Sequence, residues 1–145
     1  MFWFNIYGFI IVLILLLPNF IFALKNKDGF KNKFNNKSLE IFEQVGRFGC
    51  FIFMIINVPY TCFGWFFNNA LIVYLIVNAT LIIVYYTVWL TCLNKTSVFK
   101  VLSLSIVPSL IFLFSGVLTR SILLLVFVLI FAPCHIIISY KNSKQ

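Results

Sequence analysis

Acid is what this chain has least of. Its 145 residues carry three carboxylate side chains, Asp28, Glu40 and Glu43, against eleven Lys and Arg. All three precede the second long apolar run, so no carboxylate is expected inside a hydrocarbon layer. Ionisable residues at depth are the usual mark of proton or ion coupling, and their absence argues against a proton-driven pump or antiporter. It also removes paired-carboxylate hydrolysis, a carboxylate-bridged metal site and an H-E-x-x-H protease. The four cysteines, Cys50, Cys62, Cys92 and Cys134, form no C-x-x-C pair and keep no regular spacing. Neither a disulfide framework nor a thiol oxidoreductase is expected from them. A G-x-S-x-G elbow, a Walker loop and a dinucleotide fingerprint are missing too. No catalytic constellation remains, and no cofactor is expected.

Charge in general is scarce and hydrocarbon is not. Hydrophobic residues make up 63% of the chain and charged residues 10%. A soluble domain carries roughly 45–50% and about 25%, and a chain this short could not hide the excess from water. The lipid bilayer is therefore the expected solvent.

A crossing helix needs about 20 mostly apolar residues. Five stretches qualify: residues 2–24, 47–67, 70–93, 97–117 and 121–140. The first lacks a basic amino-terminal flank and an A-x-A cleavage site, so it reads as a retained helix rather than a signal peptide. Residues 25–37, "KNKDGFKNKFNNK", form a basic loop. From it an interfacial helix start, residues 38–46, is expected with Ser38 as cap and Glu40 in the first turn. Asn68-Asn69 and Thr119-Arg120 read as turns, and Lys100 as a side chain snorkelling to the interface.

Five spans put Lys25, Lys27, Lys31, Lys33, Lys37, Arg47, Lys95, Lys100, Lys141 and Lys144 on one side and only Arg120 on the other. Basic excess marks the cytoplasmic side. The expected fold is an all-α polytopic transmembrane helix bundle forming one membrane domain, amino terminus outside and carboxy terminus inside. The sequons at Asn36 and Asn94 then face the cytoplasm. Phe30 and Phe34 among the loop lysines sketch a nucleic-acid patch, but anchoring to anionic headgroups, about 1 kcal/mol per lysine, explains them. No nucleic-acid partner is expected.

Polar residues within the spans fall into stripes. Glu40, Glu43, Arg47, Cys50, Met54, Asn57, Thr61 and Gly64 recur at steps of three and four, one face of a helix. Glu43 and Arg47 form an i,i+4 pair of the favourable orientation. Asn78, Tyr85 and Cys92 share a face of the third span, as do Ser105, Ser109 and Gly116 of the fourth. Such stripes serve packing more often than a pathway. A hairpin turning at Asn68-Asn69 would bring Asn57 and Asn78 together at mid-membrane, with Thr80 and the Ile55 carbonyl as alternative partners. Pro18, Pro59, Pro108 and Pro133 are expected to kink four spans and free carbonyls, among them those of Ile55, Leu104 and Leu129.

The single histidine, His135, shares a face with Ser139 and Asn142 at the cytoplasmic end of the fifth span. Cys50, Cys92 and Cys134 lie at comparable depth, and with His135 they make the donor set of a tetrahedral zinc site. Adjacent helical residues diverge by about 100°, however, so Cys134 and His135 suit one metal poorly. The preferred expectation is a neutral His135 bonded to a neighbouring span, holding no metal.

The stretches "GRFGCFIFMIINVPYTCFGW" and "FAPCHIIISYKN" resemble small multi-pass membrane proteins of low-GC Gram-positive bacteria, a likeness that runs along most of the chain. The abundance of Ile, Phe, Asn, Lys and Tyr, whose codons are rich in A and T, agrees with such a source. The resemblance implies a cytoplasmic-membrane address and transfers no functional residue. Three functions remain: a noncatalytic subunit, accessory or immunity-type protein with a membrane-protein partner or self-association; a small carrier or lipid-binding protein; and a metal or thiol site at the cytoplasmic helix ends.

Overall fold

The computed structural model describes residues 3–25, 36–91 and 97–144. They form five α-helices: α1 Ile6–Lys25, α2 Lys37–Ile55, α3 Ala70–Thr91, α4 Val98–Thr119 and α5 Ile122–Lys144. Three of these, α3, α4 and α5, are long and apolar enough to cross a membrane. At 1.5 Å per residue the 22 residues of α3 or α4 reach about 33 Å, the thickness of a hydrocarbon layer. The apolar part of α1, Ile6–Phe22, is shorter. Leu17, Phe20, Ile76, Ile83, Leu90 and Leu129 point out of the bundle and are more than half exposed, as an apolar solvent permits.

Each helix packs on two others, in the order α2, α5, α4, α3, α1 and back to α2, with a lighter α2–α4 contact across the ring. The interior is filled by Cys50 and Met54 of α2, Tyr74 and Tyr85 of α3, Ile111 and Phe112 of α4, and Leu124 and Val128 of α5. The most extensive contact is between α2 and α5. Gly46 lies against the backbone of Phe131, and Gly49 against the Phe127 ring. Absent side chains let the two helices meet, the small-residue device of packed membrane helices.

Besides α1 starting at Ile6 rather than residue 2 and α4 running to Thr119 rather than 117, three boundaries differ from the sequence reading. The cap of α2 is Asn36, whose side chain accepts from the Leu39 N–H, and not Ser38. Secondly, α2 stops at Ile55 rather than running on to residue 67. Pro59 is the cause: it has no N–H to continue the ladder and pushes the residue before it out of the α region. The freed backbone pairs elsewhere. Asn5 N donates to Ile55 O at 2.7 Å and Asn57 N to Trp3 O at 2.7 Å, tying the start of α1 to the end of α2. Thirdly, α5 continues past residue 140 to Lys144.

The segment 56–69 then crosses the α4–α5 turn. Phe66 N donates to Leu118 O at 2.9 Å, and Ile122 N to Thr61 O at 2.9 Å. At that turn Arg120 takes the left-handed conformation that ends α4, and Ser121 N reaches back to Gly116 O at 3.0 Å. This crossing separates α2 from α3, so the expected α2–α3 hairpin is not formed although Asn68-Asn69 does turn.

Candidate functional site

The polar side chains inside the bundle gather in three places. The first joins α2 to α5. These helices run antiparallel, so Gly46 opposite Phe131 sets Glu43 opposite His135, one turn along each. Glu43 is 3% exposed. Its Oε1 accepts from Arg47, one turn away on α2, and from His135 Nδ1 at 3.0 Å. The His135 ring stacks on Phe131, centroids 4.8 Å apart. A buried carboxylate with two donors, one of them cationic, is well satisfied, and Arg47 remains partly exposed. The imidazole thus bonds to a neighbouring helix, through a carboxylate that the sequence reading had put at the interface.

The second cluster joins α3 to α4. Asn78 Nδ2 donates to Tyr74 O at 2.9 Å and to Ser115 Oγ at 3.2 Å. Asn78 and Ser115 are fully buried. The Tyr74 hydroxyl, also buried, lies near Ser115 and Asn5 without a hydrogen bond of normal geometry. Asn57 is not part of this group. It sits in the connecting segment, where its Oδ1 takes the Cys62 thiol at 3.6 Å. The expected Asn57–Asn78 bond is replaced by Asn78–Ser115, because Pro59 ends α2 before the two amides can face each other.

The third cluster joins α1 to α3. Pro18 leaves the Ile14 carbonyl without its helical donor, and the Tyr86 hydroxyl fills that place at 2.7 Å. Asn19 Nδ2 donates to the Tyr85 hydroxyl at 3.0 Å. One turn on, Trp89 packs on Phe22, and the Lys100 ammonium of α4 stands 5.4 Å from the indole centroid. Lys100 is folded inward against that ring, 8% exposed, rather than snorkelling outward.

Other residues singled out by pattern do less than expected. Thr61, off the helix, bonds Val58 O. Ser105 and Ser109 bond carbonyls of their own helix, at Val101 and Ser105. Ser139 is half-buried on α5. Cys50 is buried in the core and Cys134 half-buried, and Cys92 lies outside the described residues. Among the described residues no three His, Cys, Asp or Glu groups stand together as metal ligands. Pattern reading missed Glu43 as the partner of His135, and Asn19, Tyr86 and Ser115 altogether. An Asn beside a helix-interior proline was the available signal for the third cluster.

Two grooves of about 290 Å³ each run along the bundle exterior. One is lined by Val77, Leu81, Leu110, Leu113, Phe114 and Val117. The other lies between α4 and α5, with Ser109 as its one polar side chain. Neither meets Glu43, His135, Asn78 or Ser115. Comparison with family models, with curated proteins and with solved structures returns no match.

Proposed function

We propose that the chain is a noncatalytic multi-pass protein of the cell membrane, acting as a subunit, accessory or immunity-type partner of another membrane protein. All five helices cross, with the amino terminus outside and the carboxy terminus in the cytoplasm. The basic residues support this orientation: Lys25, Lys37, Lys100 and Lys141 belong to one set of helix ends, and Arg120 to the other. The resemblance to small multi-pass proteins of low-GC Gram-positive bacteria supports the cell-membrane address.

One observation carries the noncatalytic reading. The buried polar groups bond across helix contacts, Glu43 to His135, Asn78 to Ser115 and Asn19 to Tyr85, and the exterior grooves are almost wholly apolar. Interhelical bonds of this kind stabilise a membrane bundle by roughly 0.6–2 kcal/mol each. They give a rigid body with an apolar exterior, which is what a subunit presents to its partner.

Two measurements test it. Reporter fusions after Gln145 and within residues 25–37 should both read cytoplasm; an external signal from the loop overturns the five-span layout. Tagged protein, co-expressed with the products of adjacent genes and purified in mild detergent, should retain one of them at near-stoichiometric ratio. Solute flux through proteoliposomes that is lost in a folded Asn78→Leu variant would instead establish a carrier.

A further inference from the structure

We infer that the connection between α2 and α3, residues 56–69, is a membrane-interface anchor, its aromatic side chains seated in the headgroup layer at the end of the bundle opposite the lysines. The carboxyl ends of α2 and α4 and the amino ends of α1, α3 and α5 meet at that end, whereas Lys25, Lys37, Lys100 and Lys141 stand at the other. Two bonds hold the segment at this level, Phe66 N to Leu118 O and Ile122 N to Thr61 O, each 2.9 Å. It therefore lies where spans of the length of α3 and α4 leave the hydrocarbon.

The segment turns its polar backbone inward and its rings outward. The N–H groups of Asn57, Thr61, Cys62, Phe63 and Phe66 donate to protein carbonyls at 2.7–3.3 Å, and Pro59 has none to place. The Trp65 ring packs inward on Tyr74, centroids 5.3 Å apart. Tyr60, Phe63, Phe66 and Phe67 point out instead, and Tyr60 is 95% exposed. A loop bathed in water needs neither arrangement, because water would satisfy its backbone and penalise its rings. The headgroup layer suits both. Irregular backbone at the edge of hydrocarbon must be paired internally, and aromatic rings are favoured there. No charged residue falls within the segment, and the neighbouring Arg120 lies 5.6 Å from the Phe63 ring centroid.

Backbone conformation singles out Tyr60. Thr61 N reaches back to Val58 O at 3.2 Å, closing a turn with Pro59 and Tyr60 at its centre. Tyr60 takes a φ of 70°, at the position where such turns ordinarily carry glycine or asparagine. A tyrosine held there with its ring outside the protein is strained without any return in packing. Seating that ring among headgroups supplies the return. A protein partner would be met by a patch on one face. The exposed apolar residues of this end instead adjoin α1 (Trp3, Phe4), α3 (Phe66, Phe67) and α5 (Ile122), and α5 is separated from α1 by α2 and from α3 by α4. They form a belt, which is the shape a bilayer surface requires.

The inference rests on the membrane placement proposed above. A nitroxide amino acid replaces Tyr60, Phe66 or Leu129, one at a time, in the full chain in vesicles of phosphatidylcholine and phosphatidylglycerol. Power-saturation EPR compares the access of oxygen, which prefers lipid, with that of a water-soluble nickel chelate. Labels at 60 and 66 should favour oxygen about twofold or more, at a depth of about 5–10 Å from the headgroups. A label at Leu129, more than half exposed on α5, should favour it further. Tyr60→Gly, which relieves the left-handed backbone and removes the ring, should raise nickel access at residue 66 about twofold. Nickel access at 60 and 66 equal to that of a label in water overturns the proposal. So does poor access of both probes, which would mean that protein covers the segment, and so does unchanged access at 66 in Tyr60→Gly. Water-like values at 60 and 66 with a lipid value at 129 remove only this anchor, whereas water-like values at all three would remove the membrane reading as well.

Discussion

Replacing Gly46 by alanine separates two opposed effects. In a free helix the change is favourable by about 0.8–1 kcal/mol, because glycine is the poorer helix former. Here a Cβ on Gly46 would lie 2.7 Å from the Phe131 backbone N and Cα, where ordinary contact begins at 3.4 Å and extends to 4 Å. The helices must therefore part by 3.4 − 2.7 = 0.7 Å to 4 − 2.7 = 1.3 Å. Overpacking of this kind costs about 1–3 kcal/mol. A shift of about 1 Å also stretches the 3.0 Å Glu43–His135 bond beyond hydrogen-bond range, losing a further ~0.5–1.5 kcal/mol. The loss exceeds the propensity gain, and the net is a destabilisation of about 2 kcal/mol. At roughly 2–4 °C per kcal/mol for a chain of this size, Tm in detergent should fall by about 4–8 °C.

The nature of the clash gives a control. Gly49 faces ring atoms of Phe127, so Gly49→Ala should cost much less in a Phe127→Ala background, where all the clashing atoms are gone. Gly46 faces backbone, so Phe131→Leu should not rescue Gly46→Ala. An unchanged or higher Tm for Gly46→Ala, or rescue by Phe131→Leu, would refute the close α2–α5 contact.

The remaining predictions concern the polar clusters. Tyr86→Phe should cost about 0.5–1.5 kcal/mol in wild type and much less beside Pro18→Ala, where residue 18 again donates to the Ile14 carbonyl; equal costs in both backgrounds would exclude the proposed role of Tyr86. Asn78→Leu should cost about 1–3 kcal/mol, and with Ser115→Ala the sum should be clearly sub-additive; simple additivity in denaturant titrations would show that the two side chains do not pair. Glu43→Leu leaves Arg47 and His135 without their shared acceptor and should lower Tm more than Glu43→Gln, which keeps a carbonyl oxygen. The reverse order would mean that the buried charge, rather than its bonds, dominates there.

The helices were legible because lipid as solvent makes a simple demand. Apolar runs of spanning length, broken by Lys, Asn and Thr-Arg turns, mark α3, α4 and α5 within a few residues of where they form. The end of α2 was not legible from hydropathy. Residues 56–67 carry no charge and so read as the rest of a span, but the structure uses them as a strap over the α4–α5 turn. Pro59 was the local signal, and its effect depended on partners outside its own helix. Once Trp3 and Asn5 supply donors and acceptors to the freed backbone, ending the helix costs little, whereas a kinked continuation would leave those groups unpaired.

The same logic explains which polar contacts the sequence revealed. Glu43 and Arg47 are four residues apart on one helix, so spacing alone brings them together. Placing His135 on Glu43 needs the α2–α5 register as well. That register is written in Gly46 and Gly49, where a helix with two glycines three apart admits a neighbour's backbone. The stripe of Glu43, Cys50 and Met54 shows which face is buried, but only the glycines say which part of it touches α5. Asn78 is the converse case. It is buried, but its partner depended on ring order, which periodicity does not encode. Had α2 and α3 been adjacent, Asn57 would have been a reasonable mate; with α4 in that place, Ser115 is. In an apolar solvent a buried amide must find some partner, so the need for a bond was readable from composition, while the bond itself belongs to topology.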